Sequence, residues 1–355
     1  MKKILLTGGG TGGHIYPNLA LLPTLKREGF DVEYVGGIGD TLEKRLATNC
    51  GLEYHGLPTI KFVRGLSFKS ICNNIKIPFV LLKSLTDGKK LLKEVKPDLI
   101  FAKGGYVSLP LILAHGKIPL VCHESDLTLG VANKVGKFMG GKILTSNPQT
   151  DGVFVGVPVR EDILSVDTSY ARKKYNLAPS DKVLLVVGGS SGASTINNAI
   201  ADKLKELTKK YVVIHVYGKN SNFTPTKTDR YIPIPYADNM GELYAISDVV
   251  VSRAGATALH ELSALEKRAL FVPLPKGVSR GDQLDNAILA RKFGGRVLYE
   301  SELKRLVGEI DKTLSSPPMK KMSTDTNGKI VEIISDSISR GDLCKNKKRW
   351  QNGWQ

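Results

Sequence analysis

Short apolar runs alternate with helically spaced apolar residues along the first 160 residues, and the rhythm restarts near residue 183. Strands are predicted at 3–7, 31–35, 98–102, 119–122, 142–145 and 153–155, then at Val183–Val187, Val212–Tyr217, Val249–Val251 and Ala269–Pro273. Runs such as Ile4-Leu5-Leu6 show no polar alternation, as expected of parallel strands covered on both faces. Leu19, Leu22 and Leu25 share a helix face, with Pro17 set for a first turn and Gly29 for a stop. Strands alternating with helices predict an α/β fold with crossover helices. Two such rhythms, joined at Gly156-Val157-Pro158-Val159-Arg160, predict two Rossmann-like doubly wound parallel-sheet domains facing across a cleft. The expected boundaries are 1–159 and 160–325. A helix at 326–340 is expected to pack back on the first domain, and 341–355 to be a basic, flexible tail.

The candidate chemistry sits where strands hand over to helices. Gly8-Gly9-Gly10-Thr11-Gly12-Gly13-His14 follows the first strand, Lys103-Gly104-Gly105-Tyr106-Val107-Ser108 follows the strand ending at Ala102, and Gly188-Gly189-Ser190-Ser191-Gly192-Ala193 follows Val183–Val187. Such turns aim backbone N–H groups and the positive end of a helix dipole at an anion. His14 adds a ring suited to general-base work at the first of these mouths. His123-Glu124-Ser125-Asp126 places further polar groups along the same strand ends, where doubly wound sheets bind ligands. Gly8, Gly10 and Gly13 also match a dinucleotide fingerprint, which wants an acid about twenty positions on, at the tip of the second strand. That strand ends in Gly36-Gly37 with Glu33 inside it, so a nicotinamide or flavin dinucleotide is not expected. In the second half, Glu261 lies one turn into the helix after Arg253-Ala254-Gly255-Ala256-Thr257, placed to accept both hydroxyls of a ribose. Asp282, Gln283 and Asn286 offer hydrogen bonds to sugar hydroxyls. No Asp-x-Asp pair appears, so no metal and no cofactor is expected, and a diphosphate would rest on dipoles and backbone.

Length and charge narrow the partners. The 355 residues suit two α/β domains, and 51 Lys+Arg against 34 Asp+Glu give 51 − 34 = +17. An acidic partner follows: nucleic acid, an anionic membrane surface or phosphorylated substrates. Aromatic residues do not interleave with the basic runs as a nucleic-acid stacking surface requires, so no nucleic acid is expected. Cys50, Cys72, Cys122 and Cys344 have no C-x-x-C or metal spacing and read as free thiols. Residues 61–96 hold nine basic residues (Lys61, Arg64, Lys69, Lys76, Lys83, Lys89, Lys90, Lys93, Lys96) against Asp87 and Glu94. Within them Ile71, Ile75, Phe79 and Leu82 fall at helical spacing, and Pro78 restarts the helix. Either this stripe is core beneath a solvated lysine face, or it lies in a bilayer interface. The tail carries both tryptophans, Trp350 and Trp354.

Taken together, the three glycine turns and Arg253-Ala254-Gly255-Ala256 through Glu261, in this order, resemble the MurG-type N-acetylglucosaminyltransferases of peptidoglycan synthesis over nearly the whole chain. The resemblance implies a GT-B fold and an inverting transfer. N-acetylglucosamine would pass from UDP-N-acetylglucosamine to the 4-hydroxyl of the muramyl sugar of lipid I, giving lipid II at the cytoplasmic face of the cell membrane. By motif, Glu261 would hold the ribose, Ala237 would meet the uracil through its backbone, and Ser190, Ser191 and Gly192 would bind phosphate. Arg160 and Arg253, with Thr11, Gly12 and Gly13, would also serve the donor, and Ala256, Thr257, Asp282 and Gln283 would contact its sugar. The acceptor would meet Gly10, Gly104, Gly105, Tyr106, His123, Glu124 and Asp126, with His14 as the base. Ile71, Ile75, Phe79 and Leu82, with Lys76 and Lys83, would touch the anionic inner membrane surface. The chain departs from the family pattern at Asp126, where Asn is frequent, at Val157, where Asn is common, and at Asp282, where Gln is frequent. Asp126 puts a negative charge near an acceptor diphosphate, so it either pairs with a nearby base or takes part in activating the hydroxyl. The competing readings are a UDP-N-acetylglucosamine 2-epimerase of the same architecture and a basic nucleic-acid-binding protein.

Overall fold

The structure, a computed structural model, describes residues 1–61, 63, 74–189, 192–276, 281–323 and 325–351, with side chains to residue 340. The chain forms two compact units, Met1–Pro158 with the segment from Asp325 onward, and Val159–Thr324.

The first unit is built on a seven-stranded sheet of β1 (Lys3–Thr7), β2 (Asp31–Gly37), β3 (Glu53–Leu57), β4 (Leu99–Ala102), β5 (Leu120–Glu124), β6 (Lys142–Thr145) and β7 (Val153–Phe154). All its pairings are parallel, in the order β3-β2-β1-β4-β5-β6-β7. The central strands are the unbroken apolar runs, and Ile4, Leu5, Leu6, Leu99, Ile100 and Phe101 are fully buried. The order reverses direction between β1 and β4, where Thr7 stands beside Ala102. Both glycine turns of this unit therefore leave the sheet at one switch point.

The second unit repeats the plan with β8 (Val183–Val187), β9 (Val212–Val216), β10 (Tyr231–Ile234), β11 (Val249–Ser252), β12 (Ala269–Phe271) and β13 (Arg296–Val297). These six strands are parallel in the order β10-β9-β8-β11-β12-β13. Its switch point lies between β8 and β11, with Val187 beside Ser252.

Several details differ from the sequence expectation. The first helix begins at Gly12, not Pro17, and Pro17 sits buried inside it. Lacking an N–H, Pro17 cannot complete the helical ladder, and the helix ends at Ala20 before a second one starts at Leu22. The face is as expected, with Leu19, Leu22 and Leu25 buried and Gly29 at φ +77° closing the turn. Strands β3, β10 and β13 were not expected. All three are sheet edges; β3 reads Glu-Tyr-His-Gly-Leu and β10 contains Pro233, so neither carries a buried-strand pattern. The C-terminal helix runs Thr326–Gln351, past residue 341, where a tail was expected to begin. Its Ile330, Val331, Ile334 and Ile338 are buried with Leu19, Leu22 and Val155 in the core of the first unit. Asn327 Nδ2 donates to the Ala20 carbonyl and Thr326 Oγ1 to the Val155 carbonyl. Each of those apolar side chains contributes about 1.5–3 kcal/mol by burial.

The helix Ile77–Val95 starts with Pro78 in its first turn. Its inner face is Ser84, Gly88 and Leu92; a Cβ on Gly88 would come 3.4 Å from Ala114 Cβ. Its outer face carries Phe79 and Leu82 at 74 and 66 % exposure, with Lys83 beside them, and Ile75 just before the helix is 62 % exposed, next to Lys76. The core alternative for this stripe is therefore excluded at these three positions, while Ile71 lies outside the described residues. No helix among the described residues is long and apolar enough to cross a membrane.

Candidate functional site

In the first unit the two glycine turns interlock. A Cβ on Gly10, at φ +80°, would stand 2.6 Å from Tyr106 Cε1, and one on Gly105 would meet the His14 ring at 3.1 Å. Gly10, His14, Gly105 and Tyr106 are thus held together, and Thr11 caps the helix Gly12–Ala20 without a side-chain bond. Beneath them lies Glu43, 3 % exposed, which is not among the residues singled out from the sequence. Its oxygens accept from Gly37 N–H at 3.3 Å and Gly10 N–H at 3.5 Å. The glycines ending β2 make room for it, since a Cβ on Gly36 would collide with the Tyr54 hydroxyl and Glu43 Cγ. Glu33, the residue a dinucleotide site would need at a strand tip, is instead a buried partner of Lys3 and His55.

His123 and Glu124 belong to β5 rather than to the loop after it, and both are buried. His123 Nε2 donates to the Gly156 carbonyl at 2.7 Å. The Glu124 carboxylate accepts from Ser125, Asp126 and Gly130 N–H and from Asn133 Nδ2, so it braces the loop that presents Asp126. Asn133 also lies under the second turn, 3.1 Å from where a Cβ on Gly104 would be. Lys103, the residue after β4, is 1 % exposed. Its ammonium donates to Ser125 Oγ. Burial pushes its pKa down to about 8, against the opposing pull of Glu124 and Asp126.

In the second unit the helices Ser194–Leu207 and Ala256–Ala264 open at the β8/β11 switch point, with no acidic residue in either first turn. The chain approaches itself closely here: Gly192 has φ +78°, and a Cβ would stand 2.3 Å from the Tyr217 carbonyl oxygen. Gly192→Ala is expected to destabilise the protein by about 2–4 kcal/mol, from backbone strain plus that collision. A thermal unfolding midpoint equal to wild type would show that the turn relaxes instead. Ser190 and Ser191 lie outside the described residues. The helix mouth is anchored by a chain in which Tyr231 OH donates to His215 Nδ1, His215 Nε2 donates to Asn197 Oδ1, and Asn197 Nδ2 donates to the Tyr217 carbonyl. Burial pushes the His215 pKa down to about 4, which keeps it neutral in this tautomer.

Arg253 reaches the same mouth. It donates to Thr195 Oγ1 at 2.7 Å and to the Val272 carbonyl, and pairs with Glu300 at 2.6 Å. Glu261, 7 % exposed, accepts from Tyr244 OH at 3.2 Å. Burial lifts its pKa to about 7, with Arg160 pulling it down and Asp162 pushing it up. Ala237 packs half-buried against this unit's core. Asp282 opens the helix Asp282–Lys292, Gln283 Oε1 accepts from Leu274 N–H, and Asn286 Nδ2 donates to the Ala254 carbonyl. The two amides therefore tie loops together at the rim beside Ala256 and Thr257. Two helix mouths, an arginine and a buried carboxylate in one unit suit a nucleoside diphosphate.

Comparison with known proteins agrees with this construction. The N-terminal domain of glycosyltransferase family 28 matches residues 4–145, and the C-terminal domain of that family matches residues 183–338. A protein of Lachnospira eligens named UDP-N-acetylglucosamine--N-acetylmuramyl-(pentapeptide) pyrophosphoryl-undecaprenol N-acetylglucosamine transferase is 38% identical over 357 residues, covering 95% of this chain and 99% of the relative. One of the same name in Clostridium perfringens is 38% identical over 94% of this chain and 98% of its own length. The crystal structure of Acinetobacter baumannii MurG superposes with a TM-score of 0.69 at 24% identity, over 95% of this chain and all of that one, and shows the shared GT-B fold. With both domains matched in order and the relatives covered end to end, the chain belongs to glycosyltransferase family 28.

Proposed function

We propose that this enzyme transfers N-acetylglucosamine from UDP-N-acetylglucosamine to the 4-hydroxyl of the muramyl sugar of lipid I, with inversion, giving lipid II. The observation that carries the reading is the pair of switch points, each lined by glycine turns and helix mouths, in a chain colinear with relatives named for this transfer. The donor belongs to the second unit. Its ribose rests on Glu261, its diphosphate on the Gly188–Ala193 turn with Arg253 and Arg160, its uracil on the backbone of Ala237, and its sugar near Ala256, Thr257, Asp282 and Gln283. The acceptor belongs to the first unit, at Gly10, Gly104, Gly105, Tyr106 and Asp126. His14 takes the hydroxyl proton as the oxygen attacks the anomeric carbon, while the helix dipole stabilises the departing UDP. Glu124 supports this site through the loop it braces, and His123 through its bond to the Gly156 carbonyl. By the family motif, Thr11, Gly12 and Gly13 are also assigned to the donor.

The enzyme works as a peripheral protein at the cytoplasmic face of the membrane. The exposed row Ile75, Phe79 and Leu82, flanked by Lys76 and Lys83, supports this reading, as do Val131 and Phe138 on the next exposed helix. Changing Ile75, Phe79 and Leu82 together to Ser is expected to weaken binding to anionic phospholipid vesicles at least tenfold, while transfer to a detergent-free, short-chain acceptor is retained. Undiminished vesicle co-sedimentation would move the contact elsewhere.

The reaction is tested with radiolabelled UDP-N-acetylglucosamine and a lipid I analogue. Label in the lipid fraction that requires acceptor is the expected result. Conversion of the free nucleotide sugar without transfer would favour the epimerase instead.

A further inference from the structure

We infer that Glu300 is a positioning residue of the donor site, holding the Arg253 guanidinium at the helix mouth where a nucleoside diphosphate is received. The inference rests on the reading that the second unit binds the donor.

Four strands end at this place. Arg253 follows β11, Val272 follows β12 and Glu300 comes three residues after β13. Thr195 lies in the first turn of the helix Ser194–Leu207, which follows β8. These strands are neighbours in the order β8-β11-β12-β13, so the arginine reaches across the end of β12 to meet the glutamate. Arg253 Nη1 donates to the Val272 carbonyl at 3.1 Å. Its Nη2 donates to Thr195 Oγ1 at 2.7 Å and pairs with Glu300 Oε1 at 2.6 Å. The Thr195 hydroxyl donates to the same Glu300 oxygen at 2.6 Å and so closes a ring of three side chains. The two charged side chains are only 11 and 20 % exposed, which screens them less than an open surface pair. Glu300 is itself fixed, because it opens the 3-10 helix Glu300–Arg305, where Glu302 N–H donates to the Tyr299 carbonyl at 2.8 Å.

The arginine is thereby oriented but not used up. A guanidinium has five N–H donors, and these contacts engage three of them, which leaves two for phosphate oxygens. Without Glu300 the long side chain would spread over several rotamers, and binding would have to order it again. The carboxylate's own charge opposes an incoming diphosphate, so Glu300 contributes direction rather than attraction.

The test is calorimetric titration of UDP into the full chain and its variants. Glu300→Ala is expected to raise the UDP Kd about tenfold, through the lost hold on the arginine. Glu300→Gln keeps an oxygen that accepts from both Arg253 and Thr195, and is expected to bind UDP no more than about threefold more weakly than wild type. Arg253→Met weakens UDP binding by itself. Adding Glu300→Ala to it is expected to change Kd by less than about twofold, because the glutamate acts through the arginine. A glutamate that served only the fold would cost as much without Arg253 as with it. That additive result, a Glu300→Gln variant as weak as Glu300→Ala, or a Glu300→Ala variant that binds like wild type would overturn this inference alone. A wild-type chain that does not bind UDP would overturn the donor reading, and this inference with it.

Discussion

Glu261→Ala is expected to weaken UDP binding about a hundredfold while acceptor affinity stays near wild type. Each hydrogen bond from a ribose hydroxyl to a carboxylate is worth about 1.5–3 kcal/mol. Two of them, less what the alanine saves in buried charge, leave about 2.7 kcal/mol, which is a factor of a hundred. The pH dependence carries its own signature. In the empty protein burial raises the Glu261 pKa to about 7, so near neutrality the group is only partly ionised. The ribose hydroxyls donate, and they favour the ionised form. UDP affinity should therefore be greatest above pH 7 and fall as pH drops below it. Stability runs the other way. A folded-state pKa above the unfolded value means that the burial penalty is fully present above about pH 7. It is relieved as pH falls from there toward 4.5. Glu261→Gln should accordingly raise the unfolding temperature of the empty protein at pH 8, even as it weakens UDP binding and flattens its pH profile. Calorimetric titration of UDP at pH 6, 7 and 8 checks this, and an unchanged Kd in Glu261→Ala would remove the ribose role.

His14→Ala is expected to lower kcat by 10²–10⁴-fold, the range for loss of a general base, with donor KM changed less than threefold. The split follows from position. The His14 ring lies over Gly105, among the residues of the first unit's turns, while Glu261 and Arg253, proposed for the ribose and the diphosphate, belong to the second unit. A kcat within a few-fold of wild type would assign proton removal to another group. A parallel loss in donor binding would instead make His14 a part of the donor site.

Much of this architecture could be read from residue order because the central strands must be apolar on both faces and the turns must be glycine. Val183–Val187 and Ile4-Leu5-Leu6 announce themselves, and so do the turns that follow them. The edge strands do not, because an edge such as Glu53–Leu57 buries only part of its surface and keeps polar side chains. The glycine turns marked candidate ligand sites but not what holds the turns in place. Glu43 looks like a solvated helix residue until Gly36 and Gly37 are seen to clear space for it. Glu300 meets Thr195 from 105 residues away, and the Asn197–His215–Tyr231 chain joins three separate elements. Local periodicity carries no record of such long-range pairings. The same holds for Lys103, which in sequence is one more lysine in a basic protein.

The helix that begins at Thr326 has a consequence for how the protein is made. The first unit is encoded in two pieces, and its core stays open until Ile330, Val331, Ile334 and Ile338 arrive. From Pro158 to Ile338 is 180 residues. At about 5–20 residues per second on the ribosome that is roughly 9–36 s, during which the half-finished first unit exposes Leu19, Leu22 and Val155. The second unit is continuous and can close first, so the part of the protein synthesised first is the last to be completed.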